Sequence, residues 1–454
     1  MLELPVRHLI TSLAIPSIIS MLCTSFYNMA DTFFVSKIDT AATAAVGVTF
    51  ASMAIMQALA FFFGMGSGNA VSRLLGAGKR DAAHGMISTS FFYAFCCGLV
   101  VALGGNFFVS DIAVLTGSTP TILPYAIQYL SVILWGAPVM MCSLLMNNHL
   151  RFQGSSSLGM IGIMAGGFLN VLLDPLFIFY FHQGVAGAAY ATVLSQIVSF
   201  CILFCMTRRG GNIPFRLRDV HPSWPVFKEI VAGGAPSLTR QGTTSVATIC
   251  LNVAAGAYGD AAIAAMSIVT RLSFFAAAVI IGFGQGFQPV CGFSYGARKF
   301  SRLRQGFSFA VTFGTTFACV VSVVAFLFAS SIIALFRDDP AVISIGIWAL
   351  RCQCVTFPFT ALVVITNMTL QTTRHTLGAM VVAAGRSGIF LIPALLLLPY
   401  FFGLAGLVWC QSLSDILAFI LAFFLIRLFF KEIPKTDMIL QKTVTEPQLA
   451  AGRK

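Results

Sequence analysis

Among the fifteen acidic residues of the 454-residue chain, Asp31, Asp174 and Asp415 interrupt long apolar stretches. A carboxylate held away from water is costly unless it is paired, protonated or ion-bound, so each is a candidate for chemistry. Tyr27 and Asp31 are four residues apart, as are Asn170 and Asp174, so each pair lies on one helical face. Pro175 follows Asp174, and a proline there removes an amide donor and frees a backbone carbonyl. Thr192, in the next apolar stretch, adds a hydroxyl. Two carboxylates, an amide, a hydroxyl and a phenol make a hard-oxygen set. It suits Na⁺ at Asp31, Asn170, Asp174 and Thr192, or a proton shared between the carboxylates. A purely structural role for each aspartate is the plainer alternative, and it weakens because both lie in the same half of the chain.

The elements that must position these groups are membrane helices. Hydrophobic residues make up 58% of the chain and charged ones 9%, with a mean hydropathy of +0.90. A soluble domain keeps roughly a quarter of its residues charged, so this chain cannot clothe a water-facing surface. Stretches long enough to cross a bilayer, about 20 residues each, recur along it. We place spans at 9–35, 43–72, 86–111, 122–148, 157–181, 185–207, 229–257, 261–293, 306–333, 342–371, 377–401 and 403–430. The first has no cleavage site after a short apolar core and reads as a retained span.

The net charge of +12 does not point to nucleic acid, because the basic residues follow topology. Only Lys37 and Arg337 fall in loops on one side, and Arg240, Arg271, Arg351 and Arg386 fall within spans. All other Lys and Arg lie on the side of the termini, which the asymmetry makes cytoplasmic. The twelve cysteines all fall in predicted spans and form no CxxC pair, so they read as packing residues rather than disulfides or metal ligands. No cofactor is implied.

The chain is written twice at an offset of about 220 residues. Leu13-Ala-Ile-Pro-Ser17 answers Gly233-Gly-Ala-Pro-Ser237, and Gly64-Met-Gly66 answers Gly284-Gln-Gly286. Gly76-Ala-Gly-Lys79 answers Gly296-Ala-Arg-Lys299, and Gly184-Val-Ala-Gly187 answers Gly403-Leu-Ala-Gly406. We therefore expect an all-α polytopic membrane protein of twelve helices. It divides into a six-helix bundle over 1–210, a cytoplasmic linker over 211–228, a second bundle over 229–430 and a polar tail over 431–454. Six spans per half make the repeats parallel, enclosing a cavity that opens to either side when one bundle rocks against the other. No P-loop is present, so ATP is not the direct energy source.

The second half lacks the acids of the first: Asp31 aligns with Leu251, Asn170 with Ile389, Asp174 with Pro393 and Thr192 with Gln411. Asp415 is expected to pair with Arg386 or Arg271 and lock the second bundle, in preference to a role in substrate contact. Nor is there an Asp-rich diphosphate motif or a His/Asp pair of an intramembrane transferase, and an enzyme is not expected.

The chain resembles the multidrug and toxic compound extrusion (MATE) family, in its DinF-like and MepA-like prokaryotic branch. The resemblance rests on Pro16, Tyr27-Asn-Met-Ala-Asp31-Thr32, Ala44-Ala-Val-Gly47 and Gly64-Met-Gly-Ser-Gly68. It extends through Ser72-Arg73-Leu-Leu-Gly76-Ala-Gly78, Arg151-Phe-Gln-Gly154 and Asn170-Val-Leu-Leu-Asp174-Pro175. It implies a V-shaped pair of bundles in the inner membrane, acting as a monomer. Amphipathic or cationic small molecules would be exported by Na⁺ or H⁺ antiport. It also implies a coupling-ion site at Asp31, Asn170 and Asp174 with Tyr27 and Thr192, and a bend of the first span near Pro16. A flippase for a lipid-linked precursor, from the wider superfamily, is the alternative.

Overall fold

The computed structural model describes residues 2–35, 37–38, 40–336, 339–434 and 436–437. The expected place of Arg337 and the tail from 438 onward lie outside the described residues, as does the side chain of Thr32. Backbone polar groups in lipid must be satisfied within their own segment, and the described chain is accordingly helical. The first half comprises α1 (Val6–Val35), α2 (Thr40–Gly76), α3 (Arg80–Phe107), α4 (Val109–Leu115) and α5 (Leu123–Phe152). It ends with α6 (Ser156–Pro175), which runs on as a π turn, Leu176–Tyr180, and α7 (Gly184–Thr207). The second comprises α8 (Trp224–Gly256), α9 (Asp260–Gly296), α10 (Phe300–Leu327), α11 (Ala329–Phe336), α12 (Pro340–Thr356) and α13 (Thr360–Thr372). It closes with α14 (Thr376–Ala384), its π turn Gly385–Ile389, and α15 (Leu391–Glu432).

Ten stretches among the described residues are long and apolar enough to cross a membrane. Twelve spans follow once two features are recognised. One such stretch, Thr376–Glu432, is broken at Gly403 (φ 59, ψ −140). There the chain folds back, so that the Cys410 thiol reaches the Ala394 carbonyl at 3.2 Å. The other feature is α8, which misses the apolar threshold although it is 33 residues long. The sequence also anticipated no separate α4 or α11. The helices expected to run to 111 and 333 stop at Phe107 and Leu327, and a short helix follows each. The expected span 342–371 is likewise divided, by the 3-10 turn Phe357–Phe359 around Pro358.

The repeat is visible in the backbone itself. α2 and α9 are both 37 residues long, and α3 and α10 both 28. Left-handed residues recur at matching turns, Gly78 with Arg298 and Gly154 with Arg374. At those turns the second half accepts a backbone that glycine enters freely and arginine at a cost of about 1 kcal/mol or more.

The halves are joined by glycines. A Cβ on Gly66 would stand 2.2 Å from the Ile230 carbonyl oxygen, and one on Gly234 would stand 2.3 Å from that of Phe62. On the mirror contact, Gly286 faces Ala14 and Gly282 faces Ile18. Thus α2 packs on α8 as α9 packs on α1, and Gly76 and Gly296 bring the ends of α2 and α9 together. Arg73 adds a clasp, donating to the Thr372 carbonyl and to Glu229, whose second oxygen binds Arg374 at 2.8 Å. Each of these contacts lies toward the end that carries the termini. The first turns of α1 accordingly join the core of the second half (Leu9, Ile10, Leu13 and Ala14 with Phe283, Phe287 and Val290). Ile230 of α8 joins the core of the first. Toward the opposite end Thr244, Ser245, Thr248 and Asn252 of α8 are exposed, a run of polar residues that fits a water-lined cleft between the halves.

The close approach predicts its own test. Gly286→Val sets a side chain where the Cβ alone would lie 2.5 Å from the Ala14 backbone, and should cost roughly 1–3 kcal/mol. Gly47→Ala, where nothing stands within 4 Å, should leave the thermal midpoint of the purified protein unchanged. Equal midpoints for the two variants would place the junction elsewhere.

Candidate functional site

The site lies within the first half, where the far part of α1 meets α5, α6 and α7. Small residues on α6 make the approach possible. A Cβ on Gly167 would touch the Tyr27 ring at 3.0 Å, and one on Gly166 would lie 2.8 Å from Ser199 Cβ. Ser199 Oγ donates to the Gly162 carbonyl at 2.9 Å, tying α7 to the same face. Pro175 ends the regular ladder one residue after Asp174 and a π turn follows, a local unwinding often found at functional sites.

Asn170 is the hub. Its Nδ2 donates to Asp174 Oδ1 at 3.2 Å and to Thr192 Oγ1 at 3.3 Å. Asp174 is 0% exposed, and its Oδ2 has no hydrogen-bond partner among the described residues. Asp31 is in the same condition, with a buried Oδ1 that has none. The two carboxylates are near enough for their charges to interact. Such a pair away from water is stable only with a positive charge between or upon them, a proton or a small cation. Next to it lies a cavity of about 90 Å³, lined on α1 by Thr24 and Tyr27, on α6 by Asn170 and on α7 by Thr192, Ser195 and Gln196. Asn170, Thr192 and Tyr27 therefore border both the carboxylates and a space large enough for several waters.

Sequence reasoning brought together Tyr27, Asp31, Asn170, Asp174 and Thr192, and the structure clusters the same five. It missed Tyr129 of α5, fully buried, whose hydroxyl donates to Met53 Sδ at 3.7 Å and whose ring lies within reach of the charges on Asp31 and Asp174. Its only signal was a phenol inside an apolar helix, with no polar residue at helical spacing to mark it.

The equivalent place in the second half is filled. At the repeat offset Gly167 corresponds to Arg386, Thr192 to Gln411 and Gln196 to Asp415. Arg386 Nε donates to Asp415 Oδ1 at 2.7 Å, Gln411 Nε2 to the same oxygen at 3.1 Å, and Gln353 Nε2 to Oδ2 at 2.8 Å. Both oxygens of Asp415 are thus satisfied without an external ligand. The alternative partner, Arg271, is not part of this network: it is exposed on α9, and no ion pair joins it to Asp415 among the described residues. Pro16 is buried inside an unbroken α1, between Ala14 and Ile18, the two residues pressed against α9.

Comparison with known proteins agrees with this duplicated architecture. The sequence model of the family described as MatE matches residues 16–176 and again 236–397. The multidrug export protein MepA of Staphylococcus haemolyticus (strain JCSC1435) is 26% identical over 416 residues, 91% of each chain. A solved structure described as the outward-facing conformation of a multidrug resistance MATE family transporter superposes with a TM-score of 0.89. It is 27% identical and covers 95% of this chain and 97% of that one. Another, of a MATE protein in the straight conformation, gives 0.90 at 26% identity, covering 95% and 97%.

The two halves should answer mutation oppositely. Asp415→Ala leaves the half-buried Arg386 without its carboxylate and should destabilise the protein by up to roughly 3–5 kcal/mol. Asp31→Asn or Asp174→Asn removes a poorly partnered buried charge and should leave the thermal midpoint equal or higher. Destabilisation by the last two as large as that by the first would make them structural.

Proposed function

The chain belongs to the MatE family, and from that premise we propose that it is a secondary active multidrug efflux transporter of the inner membrane. It exports amphipathic or cationic compounds in exchange for inward Na⁺ or H⁺. The observation that carries the reading is the pair of orphaned carboxylate oxygens on Asp31 and Asp174, the latter tied through Asn170 to Thr192 at the edge of a cavity. A structural pair would be satisfied, as Asp415 is.

With the termini cytoplasmic, the junction of the halves closes the inner end and the cleft opens outward. Na⁺ or a proton arriving through that cleft joins Asp31 and Asp174, changing the charge at the outer part of α1. Tyr27 and Asp31 lie on the same helix as Pro16, where the missing amide makes bending easiest. Ion occupancy favours one shape of α1, drug affinity falls, and the emptied bundles rock inward. Coupling requires only that ion and drug prefer different states of the same protein. A flippase for a lipid-linked precursor is the weaker reading, since the matched relatives bear the names of drug exporters.

Two measurements test this together. Ethidium efflux in everted vesicles, driven by an imposed Na⁺ gradient or by a pH gradient, identifies the coupling ion. Asp174→Asn should abolish ion-driven efflux while inserting normally in the membrane. Undiminished efflux in that variant would sink the assignment.

A further inference from the structure

A second cavity, of about 300 Å³, lies in the other half, where α9, α10 and α12 meet. Its walls are apolar, among them Leu272 and Ala276 of α9, Val321 and Ala325 of α10 and Leu350 of α12. It differs from the cavity beside Asn170 in where it opens. Phe275, Val320 and Val324 line it and yet are half exposed or more, so they form its rim. The exposed side chains around them are apolar too: Val323 and Leu327 on α10, Trp348 and Val355 on α12. A contiguous apolar face on membrane-spanning helices meets lipid, so this mouth opens on the bilayer and not on the cleft.

Two polar groups stand out in that setting. Ser322 lines the cavity at 7% exposure, and its hydroxyl has no partner among the described residues. Other serines in these helices, such as Ser17 and Ser20, give that hydrogen to the carbonyl one turn back. Ser322 does not, which leaves an unmade hydrogen bond inside an apolar space. The second group is Arg351, which follows Leu350 of the wall and is exposed between Trp348 and Val355 on α12. Its Nε donates to the Phe326 carbonyl of α10 at 3.4 Å, and its guanidinium lies 5.1 Å from the Phe326 ring. Phe326 adjoins Ala325 of the wall, so the charge sits beside the rim. No carboxylate pairs with it among the described residues. An arginine on a lipid-facing surface is costly unless its long side chain reaches an anion at headgroup level. Phe326 is next to the last residue of α10, at the end away from the termini, so Arg351 extends toward that level.

We propose that Arg351 and the cavity behind it hold one phospholipid from the leaflet away from the termini. The phosphate takes the guanidinium fork, an ester carbonyl accepts from Ser322, and the acyl chain fills the apolar space. The chain then ends against Gln353 and Phe357, deeper along the same wall. Gln353 donates to Asp415, and Phe357 opens the 3-10 turn that divides the span. The lipid therefore braces both the buried network and the bend of the second half. The site is separate from the carboxylates of the first half and holds whatever the cargo is.

The probe is phosphatidylglycerol with a diazirine midway along one acyl chain, placed in liposomes with the full-length protein. After illumination, labelled residues are located by peptide mass spectrometry. Label should appear at Leu272, Ala276 or Val321 inside the cavity, as well as at lipid-exposed positions such as Val100 and Leu103 of α3. Arg351→Gln should cut the cavity label about tenfold and leave that on α3 unchanged, and Arg351→Lys should cut it less. Diacylglycerol with the same diazirine chain but no phosphate should label the cavity about tenfold more weakly. Ala276→Phe, which fills the space, should abolish the cavity label with Arg351 intact. Cavity label that is absent from the wild type, equal with and without the phosphate, or unchanged in Arg351→Gln overturns the site. Should that variant fail to fold, Ala276→Phe and the diacylglycerol comparison decide.

Discussion

The whole arrangement depends on backbone-to-backbone packing at one end of the bundle. Where α2 meets α8 and α9 meets α1, glycines bring the helices so close that no larger residue fits without moving the backbone. In a bilayer this matters more than it would in water, because apolar side chains gain little by leaving lipid for one another. Close packing is what remains to hold two six-helix units together, and here it is concentrated toward the end with the termini. The cleft follows from that confinement: helices joined at one end and unconstrained at the other diverge. Its polar wall on α8 and the clasp of Arg73, Glu229 and Arg374 both make sense only around such a junction.

Given that frame, duplication would yield two equal halves, and the chemistry lies in how they came to differ. The backbone is the same, down to left-handed residues at matching turns. A glycine on α6 of the first half leaves room for a cavity; its counterpart, Arg386, fills that room and pairs with Asp415, whose oxygens also accept from Gln411 and Gln353. A satisfied buried network is rigid and has nothing to bind. An unsatisfied one is costly and persists where a ligand relieves it. In the proposed mechanism the first half is thus the one that responds to an ion, and the second the frame it moves against.

Much of this was legible in the residues. Hydropathy gave the spans, and the repeat was plain because Gly, Pro and charged residues mark turns that lipid cannot blur. The five site residues were legible because polar groups are rare enough in an apolar span to stand out, and the four-residue spacing of Tyr27 with Asp31 and Asn170 with Asp174 put each pair on one face. What could not be read were relations between distant segments. Tyr129 joins the site only through the packing of α5 against α7. Arg271 and Arg386 were equal candidates for Asp415 until the fold put one beside it and left the other exposed. The short helices α4 and α11 were hidden because their apolar residues continue the hydropathy of α3 and α10 without a break. Span α8 was anticipated at 229–257 among the apolar stretches, but the close packing of its first turns on α2 appears only in the fold.

α1 carries the consequence furthest. Its first turns are buried in the core of the second half, and its far turns carry Tyr27 and Asp31 into the proposed ion site of the first. Between them Pro16 sits where Ala14 and Ile18 press on α9. One helix therefore spans the proposed ion site and the junction of the halves, and a change in its bend would alter the packing of both. Its repeat mate α8 packs into the first half in turn, but has Leu251 where α1 has Asp31. α1, α2, α8 and α9 all touch both halves, and of these four only α1 carries residues of the proposed ion site, so coupling between ion and substrate through discrete packed elements would run first through α1.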